Sequence, residues 1–160
     1  MAYVILEERV VNQAINETST VKQANIGTRV KGFDPIYGEA EFIYLNGAAS
    51  TAIGDLVIFD QYAGTTTRAV AGSRGPCAIA MSANLASSYG FYQIAGSGVI
   101  KAGTVAANGN VYLTATAGTV DDAVVSGDKV DGARLKTADG TPSAGFAIVQ
   151  ISRPSLNGNG

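Results

Sequence analysis

The sequence predicts an all-β protein, a small β-barrel or β-sandwich of short antiparallel strands. Three observations point there. Short β-branched and aromatic runs recur about every ten residues, with Gly, Asn, Asp and Ser between them. No alternation of strand and helix patterns argues for a parallel α/β sheet. The second half also repeats the rhythm of the first. Gly54-Asp55-Leu56-Val57-Ile58-Phe59-Asp60 leads to Ala63-Gly64-Thr65 and Ala69-Val70, and Gly109-Asn110-Val111-Tyr112-Leu113-Thr114 leads to Ala117-Gly118-Thr119 and Ala123-Val124. A third piece follows in each copy, Ala78-Ile79-Ala80-Met81 and Ala147-Ile148-Val149-Gln150, with a spacing that drifts by one residue.

The elements follow in order. Residues 1–31 read as an extended N-terminal arm. Val4-Ile5-Leu6 and Val10-Val11 are apolar, but Glu7-Glu8-Arg9 divides them and no period holds. Leu6, Val10 and Ala14 fit one helical face, and two short edge strands fit equally well. Asn16 to Gly27 is polar, with no core of its own to bury, so the arm depends on something else for order. The alternative is a terminal strand docked on its own domain.

Residues 32–154 form the β domain. Phe33-Asp34-Pro35-Ile36-Tyr37-Gly38 is a turn, since Pro sets one φ and Gly frees another. Glu41 to Leu45 is a strand that ends at the turn dipeptide Asn46-Gly47. Leu56 to Asp60 is the next, with Thr65 to Val70 as its partner across Ala63-Gly64. Gly75-Pro76 breaks the chain before the strand Cys77 to Met81. Ser82 to Tyr89 predicts a single helical turn stopped by Gly90. Phe91 to Ile94 is a strand, and Gly96-Ser97-Gly98 marks a bulge or corner before Val99-Ile100. Val111 to Thr114, Val120 to Val125 and Phe146 to Ile151 complete the set, with a polar loop over 128–141. Residues 155–160 read as a flexible tail.

Composition narrows the function. The 160 residues make one domain, large enough to bury a core. A net charge of −2 gives no reason to expect nucleic acid or an anionic membrane as partner. No apolar run approaches the roughly 20 residues of a membrane helix. The start, Met1-Ala2-Tyr3-Val4, lacks a basic n-region, which argues against secretion. Cys77 is the single cysteine and no histidine is present, so neither a Cys/His zinc site nor a Ser-His-Asp or Cys-His arrangement can be assembled within one chain. Cys77, in small apolar company, reads as a buried hydrophobe.

Carboxylate chemistry survives that test, but no Asp or Glu occurs between Gln61 and Val120. Asp55 follows Gly54 at a strand start, where aspartate closes turns through backbone N–H groups. Asp121 and Asp122 alternate across a strand and do not converge. With Asp128 and Asp131 they lack the EF-hand spacing. Gly96-Ser97-Gly98-Val99-Ile100-Lys101 fits neither phosphate-loop pattern. Arg68, Arg74 and Lys101 with Tyr62, Tyr89, Phe91 and Tyr92 are too few cations for a single-strand nucleic-acid groove, and suit an acidic protein neighbour better. The expectation is a protein without catalytic residues, cofactor or metal.

Against that background the chain resembles the head decoration (cement) proteins of tailed bacteriophages. The resemblance runs through Phe42-Ile43-Tyr44-Leu45-Asn46-Gly47-Ala48-Ala49-Ser50-Thr51-Ala52-Ile53-Gly54-Asp55, Thr67-Arg68-Ala69-Val70, Ala80-Met81-Ser82-Ala83-Asn84 and Tyr89-Gly90-Phe91-Tyr92-Gln93-Ile94. It continues through Asn110 to Gly118, Val120-Asp121-Asp122-Ala123-Val124 and Gly140-Thr141-Pro142-Ser143. The arm matches only in general character. The resemblance implies a β-rich homotrimer on the outer surface of a mature capsid, made in the host cytoplasm, whose partner is the major capsid protein and which clamps neighbouring capsomers. Contact candidates are Tyr3, Val4, Ile5, Leu6, Val10, Val11, Thr20 and Lys22 in the arm, with Arg29, Lys31, Arg68 and Arg74 as charged contacts. Deleting residues 2–26 is expected to weaken shell binding and leave the β domain folded. Two rivals remain. One is a glycan-binding phage surface domain with Tyr89, Phe91 and Tyr92 as a sugar platform. The other is a carboxylate-only glycosidase, which needs two acids about 5 to 10 Å apart.

Overall fold

The structure is a computed structural model that describes residues 3–5 and 11–159. Among these residues it is all-β. Its strands are β1 (Val4–Ile5), β2 (Arg29–Asp34), β3 (Gly38–Asn46), β4 (Leu56–Asp60), β5 (Thr65–Arg68), β6 (Gly75–Ala80), β7 (Tyr89–Lys101), β8 (Asn110–Leu113), β9 (Val120–Asp121), β10 (Lys129–Leu135) and β11 (Phe146–Leu156). The strands pair antiparallel in the order β1-β2-β3-β7-β6-β11-β10-β8-β9, with β4 joined to β5 and β6 and with β7 also joined to β11. The sheet does not close into a barrel, so of the two predicted architectures the sandwich-like one is compatible with it.

The middle of the sheet is buried on both faces. Phe42 and Tyr44 of β3 enter one cluster with Tyr3, Ile15, Val30 and Phe91. Ile43 and Leu45, pointing the other way, enter a second with Val57, Ala78, Ala80, Tyr92 and Ile94. This explains the unbroken apolar run Phe42-Ile43-Tyr44-Leu45, which a half-solvated strand would not tolerate. A third cluster fills the far half, with Leu56, Ile79, Ile100, Val111, Leu113, Leu135 and Val149 among its members.

β7 is one strand of 13 residues that changes partner at its middle. Tyr89 to Ala95 pair with β3, and Ala95 to Lys101 pair with β11. The glycine corner expected at 96–98 sits at this switch. Gly96 has φ +102°, and a Cβ there would lie 2.8 Å from the Glu39 carbonyl oxygen, so the crossing accepts only glycine.

The repeat is realised as topology. β4 lies between β5 and β6, and β8 lies between β9 and β10. The third repeated piece does not hold: Ala147-Gln150 falls in β11 and pairs with β10 and β7, while β10 takes the place that β6 has beside β4. Many connections share one turn. The N–H of its fourth residue donates to the carbonyl of its first, with the third at positive φ. Examples close at Asp55 on Ala52 (Gly54, φ 84°), Thr119 on Thr116 (Gly118, φ 79°) and Asp128 on Val125 (Gly127, φ 84°). These are type II turns, which require that φ at the third residue.

Several boundaries differ from the sequence expectation: the polar loop placed over 128–141 contains β10, and the strand expected over Val120 to Val125 ends at Asp121. The arm limit at 31 cuts through β2, and the tail limit at 155 cuts through β11, where Leu156 is buried in the third cluster. Residues 82–88 form turns, with Asn84 and Ser88 buried, and no helical turn. The described part of 1–31 docks on its own domain, as a terminal strand at Val4–Ile5 and as irregular chain over 11–28. Ile15 is 1% exposed, and Ala24 and Ile26 pack against the core that the polar composition of 16–27 had hidden.

Candidate interaction surface

Most side chains singled out in the sequence hold the fold together. Tyr3 is buried, its hydroxyl donates to the Ser97 carbonyl oxygen at 2.6 Å, and its ring meets Phe42 edge-on at 4.9 Å. Burial raises its phenol well above the ordinary range. Ile5 and Val11 are half-buried against the same cluster. Gln13, which the sequence did not flag, ties the segment down. Its Nε2 donates to the carbonyls of Glu17 and Tyr89 at 2.8 and 2.9 Å, and its Oε1 accepts from the Tyr44 hydroxyl at 2.7 Å. Thr20 and Lys22 are exposed. Leu6 and Val10 lie outside the described residues.

Arg68 and Arg74 do not stand free for a partner. Arg68 Nε donates to Asp55 Oδ2 at 2.7 Å, and its Nη2 reaches the Ala117 carbonyl at 2.9 Å. Lys101 Nζ takes Asp55 Oδ1 at 3.0 Å. Asp55, fully buried, also accepts the Ala52 N–H at 2.9 Å. The turn role expected for Asp55 is present, with two cations added. Arg74 pairs with Asp128 at 3.2 Å, and Asp128 also receives the Gly72 N–H. The positive centre read from Arg68, Arg74 and Lys101 is therefore neutralised by internal carboxylates.

Five further aspartates accept backbone N–H groups, three within their own turns and two, Asp122 and Asp139, from 16 and 34 residues away. Asp34 accepts from the N–H groups of Ile36 and Tyr37, Asp60 from Tyr62 and Ala63, Asp121 from Ala123, Asp122 from Ala106, and Asp139 from Val105. Hydrogen bonds from Asn159 and Asn157 lower the Asp131 carboxyl below its ordinary range. Among the described residues no three His, Cys, Asp or Glu side chains gather as metal ligands would.

The proposed sugar platform is absent from the surface. Phe91 and Tyr92 are fully buried on opposite faces, as alternation requires, and Tyr89 stacks on Tyr44 at 6.3 Å. Cys77 is 1% exposed, and burial pushes its thiol up to about 12.

Three of the exposed candidates share one mixed face on the β1–β2–β3 edge, while Tyr62, Ile36 and Val124 are exposed singly elsewhere. β2 alternates strictly, with Arg29, Lys31 and Phe33 outward and Val30, Gly32 and Asp34 inward. Val4 pairs with Phe33, Lys31 with Glu41, and Phe33 with Glu39, and directly opposed residues share a face. The face thus holds the exposed apolar pair Val4 and Phe33 beside the Lys31–Glu39 pair at 3.8 Å. Arg29 donates to Gln61 at 2.8 Å, and Arg153 to Glu41 at 3.0 Å. Exposed pairs of this kind contribute little to stability, so their charges are available to a partner. Of the twelve candidates, Val4, Arg29 and Lys31 are the ones that fall together here. Phe33 was read only as part of a turn; with Gly32 and Asp34 on the inward side of β2, the sequence held no apolar period to turn it outward.

No family model matches the chain, and comparisons with curated proteins and with solved structures return no match.

Proposed function

We propose that the protein is a structural virion component that decorates the outside of a phage head, binds the major capsid protein and cements adjacent capsomers, acting as a homotrimer. The observation that carries this reading is the exposed face of Val4, Phe33, Lys31 and Arg29. It combines a small apolar centre with charged neighbours, the make-up of a protein contact. Its strands are tied into the core on their other side by Tyr3 and Val30, so the face is presented rigidly. The use of the acids in turns and ion pairs also fits a scaffold better than a reaction centre. A protein that binds the expanded shell and not its precursor stabilises the expanded state by mass action.

The test is binding to undecorated, expanded shells of the cognate capsid protein, comparing wild type with Phe33→Asp and Lys31→Glu. Both positions are exposed, and a urea midpoint close to that of wild type checks that each variant folds. The expected result is saturable binding by wild type and a loss of at least about tenfold in affinity for Phe33→Asp, in line with a buried hot spot. Equal binding by all three proteins would remove this face from the account.

A further inference from the structure

Where β7 leaves β6 for β11, the sheet forks. β6 pairs with β7 only at Ile79 and Ala80, and with β11 only at Gly75 and Pro76. Between these ladders lies a cavity of about 120 Å³. Its floor is apolar: Cys77 and Ile94 are buried, Phe59 is half-buried, and Pro76 and Pro154 wall it. Its rim carries two guanidinium groups, Arg29 and Arg153.

Arg153 is held there against backbone preference. It has φ +45° and precedes Pro154, and a left-handed non-glycine residue costs about 1 to 2 kcal/mol. The register shows how it is placed. Asp131 pairs with Ser155 and Ala133 with Ile151, so one residue of β10 faces three of β11. At this bulge Arg153 donates from Nη2 to Glu41 Oε2 at 3.0 Å, as Arg29 donates from Nη2 to Gln61 Oε1 at 2.8 Å, and each guanidinium carries five N–H donors in all. Backbone strain kept in a fold points to use at that position.

We propose that this fork pocket captures the C-terminal residue of a partner polypeptide, one ending in an aliphatic side chain and a free carboxylate. The order of polarity selects that ligand. The charges stand at the mouth and the apolar atoms below, so the ligand's carboxylate must lie outside its apolar group. A C-terminal valine or leucine has this arrangement. A glutamate side chain has the reverse, with its charge at the tip. The volume also fits: an apolar cavity of about 150 Å³ admits a benzene ring, and this one is on the scale of a single aliphatic side chain. Pro76 and Pro154 offer no N–H to a passing strand, so strand addition is disfavoured and side-chain recognition prevails. Two arginines supply the forked donors that a carboxylate accepts bidentately. The inference does not depend on the shell reading.

The test uses the full-length, isotope-labelled protein and amide chemical-shift titration. The probes are an acetylated Gly-Ser-Gly-Ser-Leu peptide as free acid, the same peptide as C-terminal amide, and acetylated Gly-Ser-Glu-Ser-Gly amide. The free acid should give saturable shifts at Cys77, Ile94 and Ser155, and the two controls should bind at least about tenfold more weakly, as loss of charged hydrogen bonds implies. Arg29→Gln and Arg153→Lys should each weaken the free acid and leave the amide unchanged. Arg29 is exposed, so Arg29→Gln alone decides should the strained position fail to fold. Equal affinity for acid and amide, shifts centred elsewhere, or no saturation by the free acid would overturn the proposal.

Discussion

Asp55 accepts hydrogen bonds from Ala52, Arg68 and Lys101 while fully buried. Replacing it with alanine leaves the Ala52 N–H and the partly exposed cations Arg68 and Lys101 without their buried carboxylate. Asp55→Ala should therefore lose about 3 to 5 kcal/mol of unfolding free energy, read from urea denaturation. The turn role of Asp55 was legible from Gly54-Asp55, because turn chemistry is local. Its cations were not, since Arg68 and Lys101 lie 13 and 46 residues away and long-range pairing leaves no period in the chain. Cys77 gives a second prediction. Its thiol stands at about 12 in the fold against an ordinary 9.0. A raised pKa favours the neutral form in the native state, so the stabilisation is complete below pH 9 and lost as pH rises from 9 to 12. The folded protein should resist a thiol reagent at pH 8. Its urea midpoint should fall above pH 9, and Cys77→Ala should flatten part of that slope. The phenols of Tyr3 and Tyr92, raised chiefly by burial, act in the same direction.

At the scale of elements, the type II turn is the recurring part. Gly118 is its most demanding instance: φ is 79°, and a Cβ would meet Asp55 Cγ at 2.5 Å. Gly118→Ala should destabilise by more than the about 1 to 2 kcal/mol of left-handed strain alone. Ser87 holds the equivalent position with φ 64° on an exposed turn. There Ser87→Gly should relieve strain and raise the melting temperature, a gain of about 1 kcal/mol at most. Opposite signs at equivalent positions would confirm that the turn, and not glycine as such, is the constraint. The strands Glu41–Leu45 and Leu56–Asp60, and the start of the expected Thr65–Val70, were readable because β-branched and aromatic runs bounded by Gly and Asn are local signals. The single helical turn expected at 82–89 was not formed, because Asn84 is drawn inward to donate to the Leu45 carbonyl and the Tyr92 hydroxyl. The third repeat piece was misassigned because Ala-Ile runs suit any buried strand, whatever its neighbours.

At the scale of the molecule, the N-terminal segment changes meaning. Its polar composition read as an arm awaiting a partner, yet Tyr3, Gln13 and Ile15 cap the Phe42–Tyr44 face, and Ser19 exchanges backbone hydrogen bonds with Tyr89. Three anchors spread over many polar residues make no period, which is why composition missed them. Deleting residues 2–26 should therefore lower the unfolding midpoint by exposing Phe42 and Tyr44, contrary to the expectation of an unaffected domain. Point changes on the outer face are the cleaner probe of contact. The central claim is that this β scaffold stabilises an expanded shell from outside. The most direct measurement is calorimetry of undecorated expanded shells with increasing amounts of the wild-type protein. The account predicts a shell melting temperature that rises and saturates at a fixed ratio of this chain to shell subunits. A shell transition that stays unmoved while both proteins are folded would contradict it.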